Sequence, residues 1–129
     1  MLVSPTIDPA YRTPLKQFAV FAKGNPHERF RTLRQLPDWS RAGPVRILRC
    51  FRSAIELPLE DVLPRVSAEM AIVHVEYDPL TSHAYAASLA ADNRAQLVLM
   101  PGASHSWPRD DTAGFLRFLD GLVRAPSNP

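Results

Sequence analysis

The chain has 129 residues, 46% of them apolar and 22% charged, with a formal net charge of +2. That balance belongs to a folded globular chain of one domain or part of one, not to a disordered chain. Basic residues are interleaved with acids, so no nucleic-acid footprint is expected, and no apolar run approaches the roughly 20 residues of a membrane span.

The single cysteine, Cys50, excludes an internal disulfide and fits a reducing compartment. "MLVSP" lacks the charged start and long apolar stretch of a signal peptide, so a cytoplasmic location is expected. The 13 prolines fall between periodic segments, where they mark boundaries.

In chain order, residues 1–12 read as the end of a short strand ("LV") running into a loop. Residues 13–64 read as a helical segment. Its first helix begins with Thr13 as cap and Pro14 at the first helical position, where the missing N–H costs nothing. Leu15, Phe18, Ala19 and Ala22 then share a face, until Gly24-Asn25-Pro26 stops the helix. A second helix is expected from Pro26 to Pro37, with Phe30 and Leu33 inward. "DWSRAGP" reads as a connector containing Trp39. Pro44 opens a third helix reaching about Ile55, with Val45, Leu48, Phe51 and Ile55 on one face and Arg46, Arg49 and Arg52 on a solvated one. Cys50 is expected in the core or in a lid. "LEDVLPRV" adds one more helical turn.

The pattern changes in residues 65–125. "EMAIVHVEYD" is a nearly continuous β-favouring run, as expected of a buried parallel strand. An alanine-rich helix, "TSHAYAASLAAD", follows. "AQLVLMPG" is a second buried strand, and "DDTAGFLRFLDGLV" is an amphipathic helix with Phe115, Phe118, Leu119 and Leu122 on one stripe. Strand–helix–strand–helix order predicts an α/β fold with parallel strands joined by crossovers. Sites in such sheets form at the carboxyl ends of the strands. Asp78 and His105 both fall there, after successive strands. An aspartate so placed accepts the ring N–H of the histidine, sets its tautomer and leaves the other nitrogen to move a proton.

The stretch "LPRVSAEMAIVHVEYDPLTSHAYAASLAADNRAQLVLMPGASHSW" resembles the C-terminal part of an α/β-hydrolase. "VEYDP" is similar to that family's acid-bearing segment, and "MPGASH" to its histidine-bearing one. The resemblance implies that Asp78 is the catalytic acid and His105 the catalytic histidine. It also implies that the helices of residues 13–64 are an inserted cap, and that the substrate is a small ester-like carbonyl compound needing no cofactor or metal. Trp39 in the cap and Trp107 beside the histidine are candidates for substrate contact.

Three positions depart from the family pattern: Glu69-Met70 stands where Pro-Thr is usual, and Val75 where glycine is usual. The family's nucleophile motif, G-x-S-x-G, does not occur in this chain. Ser53 and Ser88 fall inside helices. The serine is therefore expected on a separate N-terminal half, with which this chain would pair. The alternative is a non-catalytic, truncated remnant or a partner module of a split enzyme. Self-association through apolar sheet edges at residues 2–3 and 71–75 is a further expectation. Glu76 is expected to support the turn beside Asp78, and His74 to be structural.

Overall fold

A computed structural model describes residues 1–5, 7–23, 26–27 and 36–124. Three parallel strands form one sheet in the order β1 (Leu2–Val3), β2 (Ala71–Tyr77), β3 (Gln96–Ser104). Leu2 lies opposite Ile72 and Val3 opposite Val73, while Ile72 faces Leu97 and Val73 faces Val98 on the other side. The fold is thus α/β with the crossover helices the sequence pattern requires. The expectation that residues 71–75 form an open edge is corrected: β2 is central, and β1 and β3 are the edges.

β2 is buried from Ile72 to Val75, as its unbroken apolar run dictates. Alternation places Ile72 and His74 on one face and Val73 and Val75 on the other. The first face carries the core. There Ile72 packs with Ala86, Leu89 and Ala90 of α5 (His83–Asp92) and with Leu59 and Leu63. Alanines at the helix face let α5 lie close to the strand. Leu59 belongs to α4 (Leu59–Val62), and Leu63 to the short 3₁₀ turn that continues it. Ser82 caps α5, its hydroxyl accepting the Tyr85 N–H at 3.1 Å.

The N-terminal helices follow the expected start signals but not the expected faces. Helix α1 (Pro14–Lys23) begins at its proline, yet Leu15 is 78% exposed and Gln17 is buried instead. The Gln17 amide donates to the Tyr11 carbonyl at 2.8 Å, which satisfies a polar group in that buried place. The body of the helix expected from Pro26 to Pro37 lies outside the described residues.

The presumed connector at residues 38–44 is largely helical: α2 spans Leu36–Ala42 and includes Trp39. Pro37 lies within α2, so the chain is helical past it. The Ser40 hydroxyl bonds the Pro37 carbonyl at 2.7 Å, and Gly43, at φ 81°, closes the helix by donating to the Trp39 carbonyl at 3.1 Å.

Helix α3 (Pro44–Glu56) starts where expected but buries none of its residues. Val45 is 62% exposed and Leu48 67% exposed. Its main neighbour is α2 rather than the sheet. Cys50 is exposed, which removes it from any core.

A four-part clamp ties the loop after β1 to the core helices. The Arg12 guanidinium bonds the Ile7 carbonyl at 2.9 Å, the Glu60 carboxylate at 2.7 Å and the Tyr85 hydroxyl at 2.8 Å. The hydrogen bond from Arg12 holds the Glu60 carboxyl down at about 2, and burial pushes the Tyr85 hydroxyl up to about 12. At the C-terminal end, α6 (Trp107–Asp110) and α7 (Thr112–Arg124) follow β3, and the expected stripe of Phe115, Phe118, Leu119 and Leu122 is half-buried. Among the described residues no helix is long and apolar enough to cross a membrane.

Candidate active site

The site is made by an irregularity at the ends of β2 and β3. The two strands pair in step from Ala71 opposite Gln96 to Val75 opposite Met100, and then the register shifts so that Tyr77 faces Ser104. Pro101 has no N–H to give the ladder, and Gly102 takes φ 71°, so β3 bulges at this dipeptide. The Gly102 N–H turns instead to the Glu76 carboxylate at 2.6 Å. The strand therefore does not end at Pro101-Gly102 but runs on to Ser104, and the residues after Tyr77 and Ser104 arrive side by side. Those residues are Asp78 and His105.

Asp78 Oδ2 lies 3.3 Å from His105 Nδ1. The Asp78 side chain is fully buried, and that of His105 is 40% exposed. The other carboxylate oxygen accepts the backbone N–H groups of Leu80 at 2.9 Å and Thr81 at 3.2 Å. Such an Asx turn fixes the carboxylate's direction before any histidine is considered. Burial by itself would raise the Asp78 carboxyl. The hydrogen bond and positive charge offered by His105, with the Leu80 N–H, outweigh it and hold the group below the ordinary aspartate value. With the Nδ1 proton directed at Asp78, the lone pair of the neutral imidazole sits on Nε2.

The loop bearing Asp78 is stapled to the segment that follows β1. The Thr81 hydroxyl donates to the Pro5 carbonyl at 2.6 Å, and the Asp8 N–H donates to the Leu80 carbonyl at 3.0 Å. The Ser82 hydroxyl bonds the Asp8 carboxylate. Val75, where the resembled family has glycine, is fully buried in the ladder opposite Met100, and the position of Asp78 does not depend on a glycine there.

Trp107 packs edge-on against Phe115 and Phe118, with ring centroids 5.3 and 5.5 Å away. It also lines a cavity of about 510 Å³ with Ser104, Gly102, Asp110 and His27. That volume suits a small organic molecule. Trp39 lies in α2 and is not among the cavity's lining residues.

His74, buried on β2, has its ring 5.5 Å from that of His83, and its Nδ1 has no hydrogen-bond partner. Burial lowers its basicity, the nearby Asp78 charge raises it, and His83 lowers it again. No group of three or more His, Cys, Asp or Glu among the described residues could hold a metal ion. Ser53 and Ser88 lie inside α3 and α5, and the Ser88 hydroxyl is spent on the Tyr85 carbonyl at 2.9 Å.

Ser4, set aside as a nucleophile because no glycines flank it, carries a signal of another kind. Among the described residues it is one of two non-glycine residues with positive φ, at 46°, and its hydroxyl oxygen is buried. No residue pattern announces such a conformation at a serine; only the backbone reveals it. Comparison with known proteins finds no matching family model, no matching curated protein and no matching solved structure.

Proposed function

We propose that this chain is the acid-and-histidine part of an α/β-hydrolase, with Asp78 and His105 as two members of a Ser-His-Asp triad. The serine is supplied by a segment outside these 129 residues. On this reading residues 13–64 are the cap. One observation carries the proposal: a buried carboxylate and a half-exposed imidazole face each other at 3.3 Å, at the carboxyl ends of adjacent parallel strands. The resemblance of "VEYDP" and "MPGASH" to the family's acid and histidine segments supports the same assignment.

The chemistry follows from the Nδ1 contact. His105 takes the serine proton on Nε2 as the serine oxygen bonds to the substrate carbonyl carbon. It returns that proton to the departing alcohol as the ester C–O bond breaks. It then takes a proton from the water that cleaves the acyl-enzyme, and the serine oxygen recovers a proton from the ring. Asp78 stays ionised throughout and stabilises the imidazolium. Trp107, two positions past the histidine, and the cavity it lines with Ser104 would take part of a small ester-like substrate, although neither His105 nor Trp39 lines that cavity.

Release of a chromogenic alcohol from short-chain esters tests the reading. The chain alone should show no enzymatic turnover, since one missing oxyanion donor alone costs about 100- to 1000-fold and the nucleophile is also lacking. Adding an N-terminal α/β-hydrolase half bearing G-x-S-x-G should restore turnover, and His105→Ala should abolish it. Robust turnover by the chain alone that survives a covalent serine trap would sink the assignment.

A second reading, a non-catalytic partner module, is favoured by the absence of G-x-S-x-G from the chain. It predicts that no complementing half restores turnover although Asp78 and His105 remain paired.

A further inference from the structure

We propose that Ser4 is a positioning residue whose hydroxyl donates to the Asp78 carboxylate and holds it square to His105. The inference rests on the pairing of Asp78 with His105 and not on ester hydrolysis.

Three observations meet at Ser4. The first is its backbone. Ser4 has φ 46°, in the left-handed region that side-chain-bearing residues avoid, and it precedes Pro5, a position that normally holds a residue extended. Neither β1 nor the turn chemistry asks for this. Left-handed serine persists only where the surroundings over-determine it, and such departures cluster at functional sites.

The second is the hydroxyl itself. Its oxygen is sealed from solvent and makes no well-formed hydrogen bond. A buried hydroxyl without a partner is costly, so it calls for one nearby.

The third is what surrounds it. The Ser4 N–H bonds the Val73 carbonyl at 2.9 Å, which anchors the residue beside β2. The next residue, Pro5, receives the Thr81 hydroxyl, and Thr81 is the residue whose N–H binds Asp78. The chain thus ties the Asp78 turn to the residue next to Ser4, and the Ser4 hydroxyl is among the groups that favour the ionised carboxylate. Two imidazoles also act on Asp78: His105, in contact, and His74, through its charge when protonated.

Two substitutions separate the hydroxyl from the strain. Ser4→Ala removes the hydroxyl and keeps the unfavourable φ. Ser4→Gly removes both, and glycine is at ease at φ 46°. The readout is the pH titration of the Asp78 side-chain carbon by NMR in the full chain. The Asp78 midpoint should rise by the same amount in both variants, roughly half to one pH unit. Ser4→Gly should also unfold at a higher denaturant concentration than Ser4→Ala. Unchanged Asp78 midpoints in both variants would overturn the proposal. So would a rise in Ser4→Ala that is absent from Ser4→Gly, because the effect would then follow strain and not the hydroxyl. Esterase activity does not enter this test, so a failure of the hydrolase reading leaves its result intact.

Discussion

The Glu76 carboxylate accepts the Gly102 N–H at 2.6 Å, across the point where β2 and β3 fall out of step. This contact occupies the donor that the bulge removes from the ladder. It thereby fixes how far β3 runs on before His105 leaves it. Glu76→Ala should lower stability by about 1–2 kcal/mol, the usual worth of a hydrogen bond to a charged group. Gly102→Ala should cost about 1–2 kcal/mol through its positive φ. Both should shift the His105 ring resonances, read by NMR. Resonances that stay put in destabilised variants would show that the bulge does not position the histidine.

Asp78→Asn tests the charge without dismantling the turn. The asparagine carbonyl still accepts from Leu80 and Thr81, so the fold should survive. The negative charge that favours the imidazolium is gone. The pH at which the His105 ring titrates should therefore fall. An unchanged midpoint would mean that the 3.3 Å contact carries no ionic coupling in solution.

The Arg12–Glu60–Tyr85 clamp makes stability depend on acid. Glu60 is ionised down to about 2 in the folded chain, below its ordinary value of 4.5. A carboxyl depressed by folding contributes stability above its unfolded value and loses it as pH falls through the folded one. The stability difference between the wild type and Glu60→Gln should be constant above pH about 5. It should shrink as pH falls from 4.5 towards 2. The effect is small, because Glu60 is partly exposed and its ion pair is screened. Denaturant midpoints measured across that window check it; a difference that grows on acidification would reverse the assignment.

The exposed apolar side chains of α3 should drive self-association. Val45 and Leu48 face solvent, and Leu99 on the edge strand β3 is 52% exposed. Apolar surface beside an open sheet edge recruits other chains. Light scattering should report species larger than the monomer at high concentration, and Val45→Lys with Leu48→Lys should shift them towards monomer. A wild-type chain that stays monomeric would refute this.

The α/β order, the buried central strand, the proline-led starts of α1 and α3 and the candidate residues Asp78 and His105 were all legible in the residues. Periodicity, β-branched runs and turn chemistry are local signals, and each is written within a few positions. The faces of α1 and α3 were not legible in the same way. Leu15, Val45 and Leu48 are apolar at helical spacing and yet exposed, because an amphipathic stripe says nothing about whether a partner lies opposite it. Pro37 was ambiguous for a related reason: proline ends one helix and begins another equally well.

What the sequence alone determined is that an aspartate and a histidine would each follow a strand. Only tertiary structure decided that they meet, since their approach depends on a register shift at Pro101-Gly102 and on Glu76 taking a stray N–H from 26 positions away. Tertiary structure likewise decided that Ser4 would take a left-handed conformation. Register and backbone strain are set by contacts between distant segments, whose energies are summed over the whole fold and are not encoded at any one position.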